Sequence, residues 1–380
     1  MKTKDIALIL LLSGLVLACK NSTNKHKQIT NQNQNKTGIK YARGFRIDKF
    51  EDYTQITVRN PWDTTITMET YILVDREKPT PQNLPQGMVV RVPILRAGTC
   101  SAIFAGEYKM LGDINKIVAV GEPEYVYIPE ITKGIANGTI LNLGMNTALN
   151  TEKVLASKLD VLVISPFEDG ANDKFKSLGI NVVKDASYME ESPLGRTEWI
   201  KFEAAFLGKD SIANVIFSKI ESNYNSLCIK VQKTTQRPTV FCEKKTGDSW
   251  YIAGGKSYMG NFLKDAGAKY LWADLKNSGS VPLSFEKVFA KAIHADFWLF
   301  KYNNIANNTT ITSLANEYEL YKNFDALKNN KVFAVNSAKS PFYEQGPMEP
   351  DIVLADLVHI FHPELLPDYK PRYYFQLKSK

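Results

Sequence analysis

The stretch DSIANVIFSKIESNYNSLCIKV, residues 210–231, contains neither glycine nor proline. Ile212, Val215, Ile216, Ile220 and Leu227 recur through it at helical spacing. It predicts one uninterrupted helix, about 30 Å long at 1.5 Å of rise per residue, enough to run the length of a domain. Ahead of it, apolar strands at residues 88–95, 117–120, 161–165 and 180–183 alternate with helices at 101–111, 151–158, 172–178 and 193–207. Gly179 and Gly208 stop the last two of these helices. Behind it the alternation restarts, with strands at 239–242, 269–272, 297–300 and 332–335 and helices at 258–266, 284–292, 321–329 and 351–361.

Fully apolar strands alternating with helices imply sheets covered on both faces. The expected fold is α/β: two Rossmann-like lobes bridged by a single long α-helix, with a ligand cleft between the lobes. The expected boundaries are 41–208 for the N-terminal lobe, 209–235 for the bridging helix and 236–380 for the C-terminal lobe. A hairpin of strands at 53–59 and 65–74, turning at Asn60-Pro61-Trp62-Asp63, precedes the first lobe's alternation. No clear sequence repeat relates the two halves.

The start of the sequence speaks to its compartment. Lys2 and Lys4 precede an apolar run from residue 6 to 17, broken only by Ser13 and Gly14, and Ala18-Cys19 follows. The run suits the core of a signal peptide (residues 1–18) and is too short for a comfortable membrane span. A small residue followed by cysteine at its end resembles the bacterial lipobox, which implies lipidation of Cys19. Residues 20–40, KNSTNKHKQITNQNQNKTGIK, are almost purely polar. Such a segment buries too little apolar surface to offset its ordering entropy and is expected to act as a tether.

Lys and Arg total 47 against 40 Asp and Glu, with the lysines scattered rather than striped, which argues against nucleic acid as partner. Cys100, Cys228 and Cys242 remain beyond the lipobox. An oxidising compartment permits a Cys228–Cys242 bridge, while the plainer reading is three buried small apolar residues. The sequence lacks CxxC, HExxH and any histidine cluster, so no dedicated metal site is expected. It also lacks GxSxG, a GxGxxG after a strand, and a P-loop, so no enzyme is expected and no cofactor is called for.

Four segments together resemble the substrate-binding proteins of ABC importers for ferric siderophores, haem and cobalamin, the class whose lobes are joined by one long helix. They are Pro193-Leu-Gly-Arg196-Thr-Glu198-Trp199-Ile-Lys-Phe202; Arg237-Pro238-Thr239-Val240; Trp250-Tyr251-Ile-Ala-Gly254-Gly255 with Ala266-Gly267-Ala268; and Asp351-Ile-Val-Leu-Ala-Asp356-Leu357 with His362-Pro363. The hairpin residues Val58-Arg59-Asn60-Pro61-Trp62 resemble a subgroup found in Bacteroidetes-type bacteria. The resemblance implies a monomeric, periplasmic, lipid-anchored receptor that hands its chelate to permease subunits. In that family each lobe presents a glutamate to the permease, and the matching positions here are Glu152 and Glu286. Each falls in the first turn of a predicted helix, with Thr151 or Ser284 available as cap, so a purely dipolar role is the alternative. The residues after Cys19 lack an acidic export signal, which favours a periplasm-facing anchor.

Ligands of open α/β sheets bind at strand ends. The cleft candidates there are Arg96 and Thr99, Tyr125, Tyr127, Phe167 and Glu168, Tyr188, Trp250, Tyr251, Lys256 and Tyr343. Trp250 and Tyr251 lead, because a motif match backs them. Aromatics suit a bulky organic chelate, and arginine suits its carboxylate or catecholate oxygens. Tyr343, Glu344, Met348 and Glu349 form an alternative metal-contacting set. His294, His359 and His362 are expected to be structural. The competing functions are a chelate-binding or scavenging lipoprotein without a permease and a chelatase-like enzyme.

Overall fold

The structure, a computed structural model, describes residues 35–36, 38–167 and 173–379. The expected signal peptide, Cys19, most of the expected tether and Glu168 lie outside the described residues. Residues 35–380 form one compact unit.

The long helix runs over Asp210–Gln232. Its buried positions are Ala213, Phe217, Ile220, Tyr224 and Val231, a stripe at steps of three, four and seven residues. Ala213 and Phe217 belong to the apolar core of the first lobe, whereas Ile220, Tyr224 and Val231 belong to that of the second. Ile216 packs against both cores. Burying Phe217 and Tyr224 contributes about 2 kcal/mol each, so the helix is held at both ends by packing rather than by propensity. The expected stripe needs correction: Ile212 and Val215 face solvent, the latter 72% exposed.

Ahead of the helix, a parallel sheet has the strand order Val182–Lys184, Val161–Ile164, Ala97–Thr99, Ile117–Val120, Leu141–Asn142. Behind it, a second parallel sheet has the order Lys269–Tyr270, Thr239–Cys242, Phe297–Tyr302, Val332–Asn336, closed by the antiparallel strand Phe375–Gln376. A separate antiparallel sheet of Lys245–Thr246, Ser249–Ala253 and Ser280–Leu283 stands beside the second lobe.

The expected hairpin forms between Thr54–Arg59 and Thr67–Asp75, with Asn60 Oδ1 accepting from the Trp62 amide at 2.9 Å in the turn. It belongs to a five-stranded sheet that also takes Phe45–Lys49, which the sequence did not suggest, and Met88–Val92. The expected strand at 88–95 is thereby corrected. Met88–Val92 pairs in parallel with Thr67–Asp75, and the first lobe's parallel sheet begins only at Ala97.

The family-like segments have structural reasons. Buried Glu198 accepts the Tyr41 amide at 2.7 Å and the Ala42 amide at 2.9 Å, strapping the incoming chain to the first lobe. Buried Asp356 accepts the amides of Arg372, Tyr373 and Tyr374, pinning the C-terminal segment. Cys100, Cys228 and Cys242 are unpaired. Among the described residues, no helix is long and apolar enough to cross a membrane.

Candidate functional site

The carboxyl ends of both parallel sheets face a common cleft. From the first lobe come Ser101, Glu122 and Asn146, each just beyond a strand. From the second come Glu243 and Lys244 after Thr239–Cys242, Asn303 after Phe297–Tyr302, and Ser337 after Val332–Asn336. Two cavities of about 680 and about 550 Å³ make up the cleft, joined through shared walls of Lys301, Tyr302, Asn303 and Tyr343. Each is of the size that holds a small organic ligand.

Tyrosines and cations dominate its chemistry. Tyr125, Tyr251 and Tyr343 are about half exposed on its walls. Lys301 is ion-paired with Glu243. Burial opposes the charge of Lys301, but the Glu243 carboxylate, together with Tyr374 and Tyr343, outweighs it and holds the ammonium above its ordinary range. The Arg196 guanidinium lies over the Tyr258 ring, 5.0 Å from its centroid, and lines the larger cavity. Burial pushes the Tyr258 phenol up to about 12, against the pull of Arg196. A permanently cationic, planar donor on an aromatic shelf is suited to carboxylate or catecholate oxygens.

The structure thus brings Tyr125, Tyr251 and Tyr343 together, and sets Tyr127 beside them. Tyr127 is already engaged across the lobes, its amide donating to Glu344 Oε2 at 2.7 Å and its hydroxyl to the Ser337 carbonyl at 2.9 Å.

Other candidates are corrected. Trp250 is fully buried, its Nε1 donating to the Cys242 carbonyl at 2.9 Å among Phe241, Trp298, Tyr321 and Phe324. Adjacent residues of a strand point to opposite faces, so Trp250 and Tyr251 cannot both meet one ligand. Arg96 stands at the amino end of Ala97–Thr99, away from the cleft, and donates to the Ser157 carbonyl at 2.8 Å. Thr99 is buried. Lys256 lines a separate groove with Arg43, Glu191 and Asn261. Phe167 and Tyr188 line neither cleft cavity, and the Tyr188 hydroxyl instead donates to the Pro166 carbonyl at 2.8 Å.

The alternative metal-contacting set also dissolves. Glu344 and Met348 are buried, Glu344 holding the Tyr127 amide. Glu349 pairs with Arg372 at 2.9 Å and accepts the Tyr373 hydroxyl at 2.5 Å. His294 meets Asp325 at 2.8 Å, His359 the Leu366 carbonyl at 3.0 Å, and His362 is buried.

Sequence reading missed Lys301, Tyr302 and Asn303 and gave Arg196 no role. The signal was available for the first three, since a polar triplet directly follows the apolar run 297–300 at a strand's carboxyl end.

Glu152 and Glu286 are both exposed, in the first turns of Thr151–Ala156 and Phe285–Ala292. Ser284 caps the second helix, accepting from the Lys287 amide. Asn150, not Thr151, caps the first, because only its side chain reaches the Lys153 amide, at 2.9 Å. The Glu286 carboxyl is held below its usual range by its own backbone amide and by Ser284.

Residues 108–338 match the model of a family described as periplasmic binding proteins. The chain is 26% identical to an uncharacterised lipoprotein of Methanocaldococcus jannaschii, over 94% of this chain and 90% of that one. Among solved structures it is similar to the TroA-like periplasmic binding protein FepB from Veillonella parvula, with a TM-score of 0.58 at 18% identity, covering 77% of this chain and 97% of that one. It is also similar to a periplasmic heme binding protein from Pseudomonas aeruginosa, with a TM-score of 0.56 at 17% identity, covering 76% and 99%. The two-lobe fold is shared with both structures.

Proposed function

The chain belongs to the periplasmic binding protein family, and from that premise we propose that it captures an anionic iron-type chelate between its lobes and delivers it to an ABC permease. The candidate ligands are a ferric siderophore, haem or cobalamin. The observation that carries this reading is the cleft itself, where Tyr251 and Tyr343 share one cavity with Arg196 and Lys301, and Tyr125 lines the adjoining cavity with Lys301 and Tyr343. Aromatic walls match an extended organic ligand, and the Arg196 guanidinium matches acidic oxygens on it. Ferric siderophores and haem carry such oxygens, which favours them over cobalamin. The family consists of solute-binding proteins rather than enzymes, and it supplies the substrate-binding components of ABC importers.

Export and lipidation at Cys19 complete the reading, supported by the lipobox-like Ala18-Cys19 and by relatives that are themselves lipoproteins. Glu152 and Glu286, one exposed glutamate per lobe, would meet the permease. Native mass spectrometry of the full-length protein incubated with a ferric tricatecholate, a ferric hydroxamate, haem and cobalamin tests the ligand class. Retention of one acidic iron chelate per chain supports it, and retention of none of the panel refutes it.

A further inference from the structure

Three carboxylates converge inside the first lobe, away from the cleft lining. Glu107 projects from the helix Ala102–Met110, Glu203 from the helix Ile200–Leu207, and Asp185 follows the strand Val182–Lys184. All three side chains have 0% exposure. One carboxylate oxygen from each lies within 4.8 Å of the others. Asp185 Oδ1 accepts the Ser187 amide at 2.7 Å. Both oxygens of Glu107, both of Glu203 and Oδ2 of Asp185 have no hydrogen-bond partner.

A second group points into the same place. The Tyr108 hydroxyl is fully buried, has no hydrogen-bond partner at normal length, and lies against the Glu203 carboxylate. Buried polar groups left in this state are rare, and each calls for an explanation. Arg196 is the cation that acts on Glu107 and Asp185, but it forms no ion pair with either and rests instead over Tyr258 at the cleft. Among the described residues, no lysine or arginine is salt-bridged to any of the three acids.

Protons or a cation must resolve such a cluster, because three like charges cannot share a dry site uncompensated. The three carboxylate oxygens are close enough to one another to share one ion. Calcium–oxygen distances of about 2.3–2.6 Å place two ligands of one ion no more than about 5.2 Å apart, and the three oxygens lie within that limit. One buried oxygen from each of three carboxylates converges, and oxygen is the donor a hard divalent cation takes.

We propose that Glu107, Asp185 and Glu203, with Tyr108, form a buried site for one hard divalent cation in the N-terminal lobe. The ion ties two helices to the end of a strand, so its effect is on the stability of that lobe.

The test uses the full-length protein stripped with a chelator, then titrated with calcium chloride. Metal content is read by elemental mass spectrometry and melting by circular dichroism. The expected result is one calcium per chain and a melting temperature that climbs with calcium concentration. Glu107→Gln and Glu203→Gln should each weaken calcium binding at least tenfold and abolish the calcium-dependent rise. Should either variant fail to fold, the wild-type metal content and titration still decide. The proposal is overturned if stripped wild-type protein binds no calcium and melts at the same temperature with and without it. It is equally overturned if the glutamine variants keep the calcium response.

Discussion

The hydroxyl of Tyr127 donates to the carbonyl oxygen of Ser337 across 2.9 Å, a hydrogen bond that runs from the first lobe to the second. It does not act alone. The Tyr127 amide donates to Glu344, and the Thr197 hydroxyl donates to the Pro347 carbonyl at 2.7 Å. A Cβ on Gly106 would meet the Glu344 carbonyl at 2.8 Å, so only glycine lets the helix Ala102–Met110 approach the second lobe this closely. The lobes are therefore joined beneath the cleft as well as through the bridging helix, and the cleft is largely formed before any ligand arrives.

Small-angle scattering should accordingly show little compaction when ligand is added to the wild type. Bending the bridging helix would break its backbone hydrogen bonds, which opposes hinge closure. Tyr127→Phe removes one interlobe bond at a cost of about 1 kcal/mol, and should leave the scattering profile nearly unchanged. A ligand-induced fall in the radius of gyration typical of a closing receptor would contradict the rigid arrangement.

Trp250 and Tyr251 should separate stability from binding. Trp250→Ala empties a fully buried position and should lower stability by about 3–5 kcal/mol. Tyr251→Ala removes a half-exposed ring and should change stability by well under that. Denaturant melts of the two variants check this, and a Tyr251→Ala loss as large as that of Trp250→Ala would contradict the assignment of buried and exposed faces.

Charge reversal at Glu152 and Glu286 should reduce uptake while leaving chelate affinity and fold intact. Both are exposed helix-start residues, so little folding energy is at stake. Uptake that survives the double Glu→Arg variant would remove permease docking from the account and favour a scavenging role.

His362 should make the protein acid-sensitive. It is fully buried against Gly267, where an added Cβ would come within 2.9 Å of His362 Nε2. Burial lowers its affinity for a proton, with neighbouring Arg237 acting in the same direction, and together they outweigh the backbone of Gly267 and Ala266 and the Glu364 carboxylate at 3.8 Å, which favour the proton. Below an unfolded value of about 6.5 the unfolded chain takes up a proton that the folded chain resists. This stability is therefore fully present above about pH 6.5 and is lost as the pH falls below it, by at most about 1.4 kcal/mol per pH unit. His362→Gln should flatten the slope of stability against pH between 6.5 and 5, and an unchanged slope would contradict the assignment.

Much of the fold was legible because its cues are local. The glycine- and proline-free stretch at 210–231 could only be one helix, and the alternation around it could only build covered sheets. Its buried face was misread because Ile212 and Val215 are apolar yet face water, whereas Ala213 and Tyr224 fill the stripe. The strand at 88–92 was assigned to the wrong sheet because parallel pairing with Thr67–Asp75 is a non-local choice that no residue in it announces. Phe45–Lys49, FRIDK, hides behind three charges. In the cleft, Tyr125 could be found in the loop after a strand, but Trp250 was drawn in by its motif neighbour Tyr251. Arg96 was placed by strand limits that ran too far. The buried acids Glu107, Asp185 and Glu203 carry no sequence signature, since they meet only when two helices and a strand pack.

The most direct test of the central claim is a fluorescence titration of the full-length protein with an acidic ferric chelate, comparing wild type with Tyr251→Ala/Tyr343→Ala. Aromatic anchors in a binding site contribute about 2 kcal/mol each, so the double variant should bind more than tenfold more weakly while melting normally. Unchanged affinity in a normally folded double variant would mean that the chelate does not bind between the lobes.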